Sequence, residues 1–560
     1  MNVRKPQSIK LRGQDLIREP LLNKGSAFTL EERRLLGLDG LLPNRPVGMQ
    51  VQAQRIYENI NRFDDPLEKY VALASLQDRN EHLYFHLLAT HLEEFMPIVY
   101  TPTVALATRE FSHVFQRGRG VWITPDLKGR VAEVLRTAGR GRAIEMIVAT
   151  DNESILGIGD QGAGGMAISI GKLALYTAGA GIDPAKVLPV SLDVGTDNAA
   201  LLDDPMYLGW PQRRLRGAAY RELLDEFVEA VRECCPYALV QWEDFRKDNA
   251  LAVLDRYQHS LPSFNDDIQG TGAMALAGVL SAGRISGRSI ADERIVILGA
   301  GAAGLGISRS LQTALKHAGL RGDALTRAVA VLDSRGLIVD DGSIRERYKK
   351  DLAWSPALAA QEGLDEGHRG LDSVVAQLKP TVLIGTSGQR GVFTREVVQS
   401  MAAETERPVI MPLSNPTDQS EATPSDLYEW TDGRALVACG SPFADVLWQG
   451  HGFQVGQGNN MFIFPAVGLG VLAAKATAIT DELFSAAAAA LADCVTQPQL
   501  EAGLLYPPMT ELRQSVQTVA TAIYASAVRQ GLCDPVNETE LQARLQSQAW
   551  EPVYREYRPG

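Results

Sequence analysis

The sequence predicts an α/β protein in which a helical N-terminal region precedes two successive stretches of strand–helix alternation. Three observations lead there. A chain of 560 residues exceeds what one hydrophobic core organises, so several domains are expected. Residues 1–118 place apolar side chains three and four apart between charges, the period of amphipathic helices. From residue 119 onward, short apolar runs alternate with helical stretches, the grammar of a largely parallel sheet.

Taken in order, PLEKYVALASLQDRNEHLYFHLLATHLEEFM (66–96) reads as an amphipathic helix pair, and MPIVYTPTV (96–104) as a break with two prolines flanking a short β-like run. AIEMIVATD, KVLPVSLDVG and YALVQWED then read as strands, separated by helical stretches such as MAISIGKLALYTAG and YRELLDEFVEAVREC. The pattern repeats with ERIVILGAGAAG, AVAVLD, TVLIGTSG and PVIMPLSNP. Beyond residue 460 the chain returns to helix, including the alanine-rich run 486–491, and ends in a polar tail bearing Trp and Tyr. The expected domains are a helical one over 1–118, an α/β one over 119–265 with 460–531, a second α/β one over 266–459, and a tail over 532–560.

Composition narrows the partners. A net charge of −12 without any basic stretch argues against a nucleic-acid partner, though local cations could still hold a small anion. The five cysteines form no CxxC pair and are odd in number, so no disulfide framework is expected, and a reducing cytoplasm fits. The N-terminus lacks the apolar core of a signal peptide. The most apolar windows are broken by Gly and Pro and fall short of a membrane span, so no membrane contact is expected.

Two glycine loops match G-x-G-x-x-G. In IVILGAGAAGLGI an apolar run leads directly into Gly299, Gly301 and Gly304, and a helical stretch follows at once, which aims helix N-terminal amides at a pyrophosphate. The next strand ends in Asp333, placed to reach a ribose hydroxyl. The other match, Gly157, Gly159 and Gly162, is separated from its strand by DNES and contains Asp160, which would repel a phosphate. Close backbone packing is the better reading there. The dinucleotide domain is therefore expected to be Rossmann-type, centred on Gly299–Gly304.

Acidic residues cluster at two neighbouring strand ends. YALVQWEDF ends in Glu243 and Asp244, and LPSFNDD ends one βα unit later in Asp266 and Asp267. Each pair alone suits a helix cap. Together, at the carboxyl ends of parallel strands, three or four carboxylates could not all stay ionised without a cation. All-oxygen ligation favours Mg²⁺ or Mn²⁺. Lys172 lies in SIGKLALYTA, an apolar helix with little other charge, and is either snorkelling or a candidate base. Tyr100 in IVYTPTV is either an ordinary buried tyrosine or a proton donor.

At this point the chain resembles the malic enzyme family, most closely its bacterial NAD-linked members. The matching segments include GSAFTLEERRLLGLDGLLP, PLEKY, MPIVYTPTV, ILGIGDQGAGGM, GKLALYTA, DVGTDN, QWEDF, FNDDIQGT, LGAGAAGLGI, PLSNPT, GSPF and GQGNNMFIFP, spread over residues 25–470. The resemblance implies metal-dependent oxidative decarboxylation of (S)-malate to pyruvate and CO₂ with reduction of NAD, and decarboxylation of oxaloacetate. By the same resemblance, Tyr100 is the general acid and Lys172 the general base, with Asp266 hydrogen-bonded to Lys172. Glu243, Asp244 and Asp267 bind the metal, and Asp267 also lies among the cofactor-binding residues. Asn415 and Asn459 touch substrate or nicotinamide, with Asn460 beside them. Arg55 and Arg79, both on predicted N-terminal helices, match arginines that hold fumarate at a subunit interface, and a homotetramer or homodimer is implied.

Two places depart from the family pattern. Where many members carry an arginine for a substrate carboxylate, Ser154 stands next to Ile155, so other cations or the metal must grip that end. After Asp333 come Ser334 and Arg335, with Lys349 and Lys350 further on, groups that would welcome the 2′-phosphate of NADP. Two other functions remain to be separated by assay: a malolactic enzyme that retains NADH and releases lactate, and a non-catalytic nucleotide-binding scaffold.

Overall fold

The computed structural model describes residues 6–560, in two compact units: the chain up to Ala238 with Gln542–Gly560, and Leu239–Leu541. These divisions fall at 238/239 and 541/542, whereas the boundaries drawn from sequence fall at 118/119, 265/266, 459/460 and 531/532.

The first unit opens with β1 (Gln7–Ile9), which pairs in parallel with Tyr557–Pro559 at the other end of the chain. The C-terminal segment is thus docked rather than loose. Tyr557 is buried against Phe28, and the Lys24 ammonium lies 4.5 Å from its ring centroid while pairing with buried Glu32. Helices follow at Met49–Ile60, Pro66–Gln77, Glu81–Thr90, Leu92–Val99 and Thr103–Arg109. The stretch read as a helix pair is therefore three helices. Asp65 caps the first by accepting from the Leu67 N–H, with Pro66 at its start, and Asn80 caps the second by accepting from the Leu83 N–H. Arg79 falls in the turn between them, not on a helix.

The β-like run expected in MPIVYTPTV is also helical, apart from the short turn after Val99. Pro97 lies inside Leu92–Val99, and burial of Phe95, Met96 and Val99 on one face outweighs the hydrogen bond that proline forfeits. Three parallel strands complete this unit's sheet elements: β2 (Val121–Trp122), β3 (Met146–Thr150) and β4 (Val187–Ser191), with β4 between the other two. Every residue of β3 is buried, which explains its unbroken apolar run.

The second unit begins with β5 (Leu239–Trp242) and β6 (Ser263–Asn265), a parallel pair. Next come β7 (Ile295–Leu298), β8 (Val329–Asp333), β9 (Gly336–Leu337), β10 (Val382–Gly385), β11 (Val409–Pro412) and β12 (Leu436–Cys439). A hairpin of β13 (Val446–Trp448) and β14 (His451–Phe453) precedes β15 (Gly456–Gln457). The larger sheet runs β15-β12-β11-β10-β7-β8-β9, parallel except for β9. The chain builds from β7 to β8 on one side and then crosses back to β10 on the other. This reversal is the switch point at which doubly wound sheets bind ligands.

The helices Phe464–Ala474, Asp481–Cys494 and Leu512–Arg529 pack on one another behind the helix Thr271–Ser286. Phe464–Ala474 is buried along its whole length. Among the described residues no helix is long and apolar enough to cross a membrane. Among the described residues no disulfide joins any of the five cysteines.

Candidate active site

In the first unit, the helix Met166–Leu175 brings Lys172 to Tyr100. The Lys172 ammonium lies 5.4 Å from the Tyr100 ring centroid, and both side chains are largely buried. Gly171 explains the approach: a Cβ there would lie 2.9 Å from the Val99 carbonyl oxygen and 3.1 Å from Cδ2 of Tyr100. Any larger residue would push the lysine-bearing helix away from the tyrosine. The ring face and the surrounding apolar helix hold the lysine in a fixed, water-poor position.

The loop carrying Gly157, Gly159 and Gly162 packs closely, as the sequence suggests. A Cβ on Gly162 would lie 2.0 Å from the Tyr207 hydroxyl. Asp160 is gripped twice by the fully buried Arg214, at 2.6 and 3.0 Å, and Arg214 also donates to the Asp151 carbonyl at 2.6 Å. Beside Ser154, Glu153 accepts from Arg216 at 2.7 Å, and Arg216 also pairs with Asp197. These arginines carried no sequence signal, because QRRLR has neither motif spacing nor periodicity.

In the second unit, the paired aspartates separate. Adjacent parallel strands β5 and β6 end side by side, and carboxylate oxygens of Glu243, Asp244 and Asp267 lie within 4.8 Å of one another. Asp244 adopts φ +55, a left-handed conformation that aspartate tolerates better than most residues, and its N–H donates to Asp267 at 2.9 Å. Glu243 accepts from the Gln241 amide at 2.7 Å. Three crowded carboxylates on two strand ends suit a hard divalent cation, with coordination positions left for substrate and water.

Asp266 turns elsewhere. It is fully buried, and the Asn460 amide donates to its carboxylate at 3.2 Å and to Thr271 Oγ at 2.9 Å. Gly270 leaves it room, since a Cβ there would lie 1.8 Å from Asp266 Oδ1. Asn265 fixes the turn by accepting from the Ile268 N–H at 3.0 Å. Of the two asparagines singled out in sequence, Asn415 accepts from the Ser441 hydroxyl after β11, and Asn459 caps the turn Asn460–Phe462. The structural part played by Asn460 was not evident in sequence, because a polar residue in GNN reads as a turn.

The Gly299–Gly304 loop joins β7 to the helix Ala302–His317. Gly299 has φ +122, and a Cβ on Gly304 would lie 1.9 Å from the Gly299 carbonyl oxygen. A Cβ on Gly301 would meet nothing within 4 Å, so that residue leaves open space at the helix N-terminus where a pyrophosphate belongs. Asp333 ends β8, as expected, and accepts from Lys349 at 2.7 Å and from the Arg335 N–H at 2.8 Å. Burial alone would raise the Asp333 carboxyl, but Lys349 and Arg335 outweigh it and hold it below its ordinary value. Lys349 is also paired with Glu346. The lysine is thereby tied to carboxylates, and Asp333 stays ionised.

Arg55 is exposed on Met49–Ile60. Arg79 is also exposed, its carbonyl accepting from the Asn23 amide at 2.7 Å.

Residues 77–258 match the family described as "Malic enzyme, N-terminal domain", and residues 268–528 match "Malic enzyme, NAD binding domain". The chain is similar to the NAD-dependent malic enzyme of Psychromonas ingrahamii, with 43% identity over 558 residues, covering 100% of this chain and 99% of that one. It is 42% identical over 557 residues to the NAD-dependent malic enzyme of Aliivibrio fischeri, covering 100% and 99%. Among solved structures, the malic enzyme of Entamoeba histolytica superposes with a TM-score of 0.57 at 22% identity, covering 81% of each chain. That of Pyrococcus horikoshii gives 0.53 at 21% identity, covering 82% of this chain and 89% of the other, a likeness of fold. Full-length similarity at this level, together with both domain matches in order, makes the chain a member of the malic enzyme family.

Proposed function

We infer that this protein catalyses the oxidative decarboxylation of (S)-malate to pyruvate and CO₂ with reduction of NAD. The observation that carries the reading is the convergence of Glu243, Asp244 and Asp267 in the unit that also holds the Gly299–Gly304 loop.

A divalent ion on those carboxylates supplies a Lewis acid that acidifies the substrate hydroxyl and stabilises enolate charge. NAD, with its pyrophosphate at Gly299–Gly304, supplies the acceptor for the hydride of C2. The remaining work belongs to side chains. Lys172 takes the proton from the 2-hydroxyl. After CO₂ departs, the Tyr100 phenol protonates C3 of the enol. Asn415 and Asn459 hold substrate and nicotinamide in register. With Ser154 in place of an arginine, the metal and neighbouring cations carry substrate carboxylate binding.

The test is purified protein with malate and Mn²⁺, supplied with NAD or NADP, while pyruvate, lactate and free NADH are followed. Pyruvate and NADH in equal amounts are expected, with NAD preferred over NADP. Lactate without free NADH would assign the malolactic reaction instead, and no turnover would leave a nucleotide-binding scaffold.

The protein works as a homotetramer or homodimer in the cytoplasm on this reading, and Arg55 with Arg79 forms an effector site for fumarate. Two guanidiniums can grip a dicarboxylate by charge-assisted hydrogen bonds, and activation requires tighter binding to the active form. Millimolar fumarate is expected to lower the apparent KM for malate in the wild type and to do nothing in Arg55→Ala. Activation that survives Arg55→Ala in malate saturation curves would remove the site.

A further inference from the structure

Glu421 is fully buried, and among the described residues no lysine, arginine or histidine pairs with it. Its partners are neutral donors. The Ser387 N–H and hydroxyl donate at 2.7 and 2.9 Å, and the Ser414 hydroxyl and N–H, the latter at 3.4 Å, complete the set. Space has been cleared for it, since a Cβ on Gly385 would lie 2.5 Å from Glu421 Cδ. Excluding a carboxylate from water without a counter-ion is costly even with these donors, and a positive group brought near it during function would offset part of that cost.

Its place in the sheet indicates which group. Ser387 and Ser414 follow β10 and β11, on one side of β7, whereas Asp333 ends β8 on the other side. A dinucleotide with its pyrophosphate after β7 and its adenosine ribose at Asp333 extends its nicotinamide end toward the strand ends of β10 and β11. The oxidised nicotinamide ring carries a positive charge, and the reduced ring does not. We propose that Glu421 is a positioning residue whose fixed negative charge favours oxidised over reduced nicotinamide, setting the relative affinity for NAD and NADH. Burial first, and the charge of Glu421 second, push the neighbouring Cys439 thiol up. This inference rests on the reading of the chain as an NAD enzyme.

The test compares dissociation constants for NAD and NADH, from tryptophan fluorescence quenching, in the wild type, E421Q, E421D and S414A. E421Q keeps the oxygen that accepts from the serines and removes the charge. NAD is expected to bind about tenfold more weakly to E421Q, the order of a partly screened interaction between two unit charges. NADH should change by less than about twofold, being uncharged at the ring. E421D and S414A, which keep the charge, should keep the wild-type ratio even where both affinities fall. Equal losses for NAD and NADH in E421Q would overturn the proposal. A ratio shifted toward NADH in S414A would also overturn it, and that arm does not depend on E421Q folding. Failure of the wild type to bind NAD would instead overturn the assignment of the cofactor.

Discussion

Lys172→Ala is expected to cut malate-dependent NAD reduction by roughly 10²–10⁴-fold, the range for loss of a positioned acid or base. The side chain is buried on an apolar helix, and its ammonium lies over Tyr100 because Gly171 permits the close approach. Nothing in bulk solvent substitutes efficiently for a base held there. The loss should fall on kcat, since the metal carboxylates and the glycine loop are untouched, and NAD affinity should be unchanged. Tyr100→Phe is expected to separate the half-reactions: protonation of enolpyruvate suffers, measured as exchange of solvent hydrogen into C3 of pyruvate, while reduction of oxaloacetate is spared. Equal and mild losses in both half-reactions for both variants would withdraw these roles.

Removal of the divalent ion should abolish turnover altogether. After EDTA treatment, activity is expected to return with Mn²⁺ or Mg²⁺, and not to the same level with Ca²⁺, whose larger, looser coordination fits a compact three-carboxylate site poorly. Asp267→Asn replaces a charged oxygen in the helical turn Asp266–Gly270 that directly follows β6. Metal affinity should fall by more than the about 10–100-fold that loss of an outer hydrogen-bond partner costs. Titration of Mn²⁺ against the apo protein reads this directly. Full activity in chelator, or wild-type metal affinity in Asp267→Asn, would sink the assignment.

Lys172→Ala and Asp267→Asn both rest on residues that were legible in the chain alone. Short apolar runs such as VAVLD and VIMP, rich in β-branched residues and close to turn signals, suit strands buried on both faces, and those strands form. The glycines of the β7 turn and the acidic pairs at two strand ends likewise carried their chemistry in type and spacing. The helical limits were less legible. Pro97 suggested a break, yet burial of Phe95, Met96 and Val99 keeps the helix, a decision made by packing rather than propensity. Nor did the tail announce that Tyr557 would be buried against the first strand's end of the molecule.

Sequence by itself determined which groups are present: two strand-end acidic pairs, a lysine in an apolar helix, a glycine turn after a strand. Only the tertiary structure decided which of them meet. Asp266 and Asp267 are neighbours in the chain, but Asp267 joins Glu243 and Asp244 while Asp266 turns to Asn460, almost two hundred residues away. Arg214 on Asp160, and Glu421 across two strand-end loops, had no local signature at all. The reason is physical. Local sequence fixes backbone periodicity and reach, whereas the partner of a buried charge is chosen by long-range packing, which places side chains from distant segments where water has been excluded.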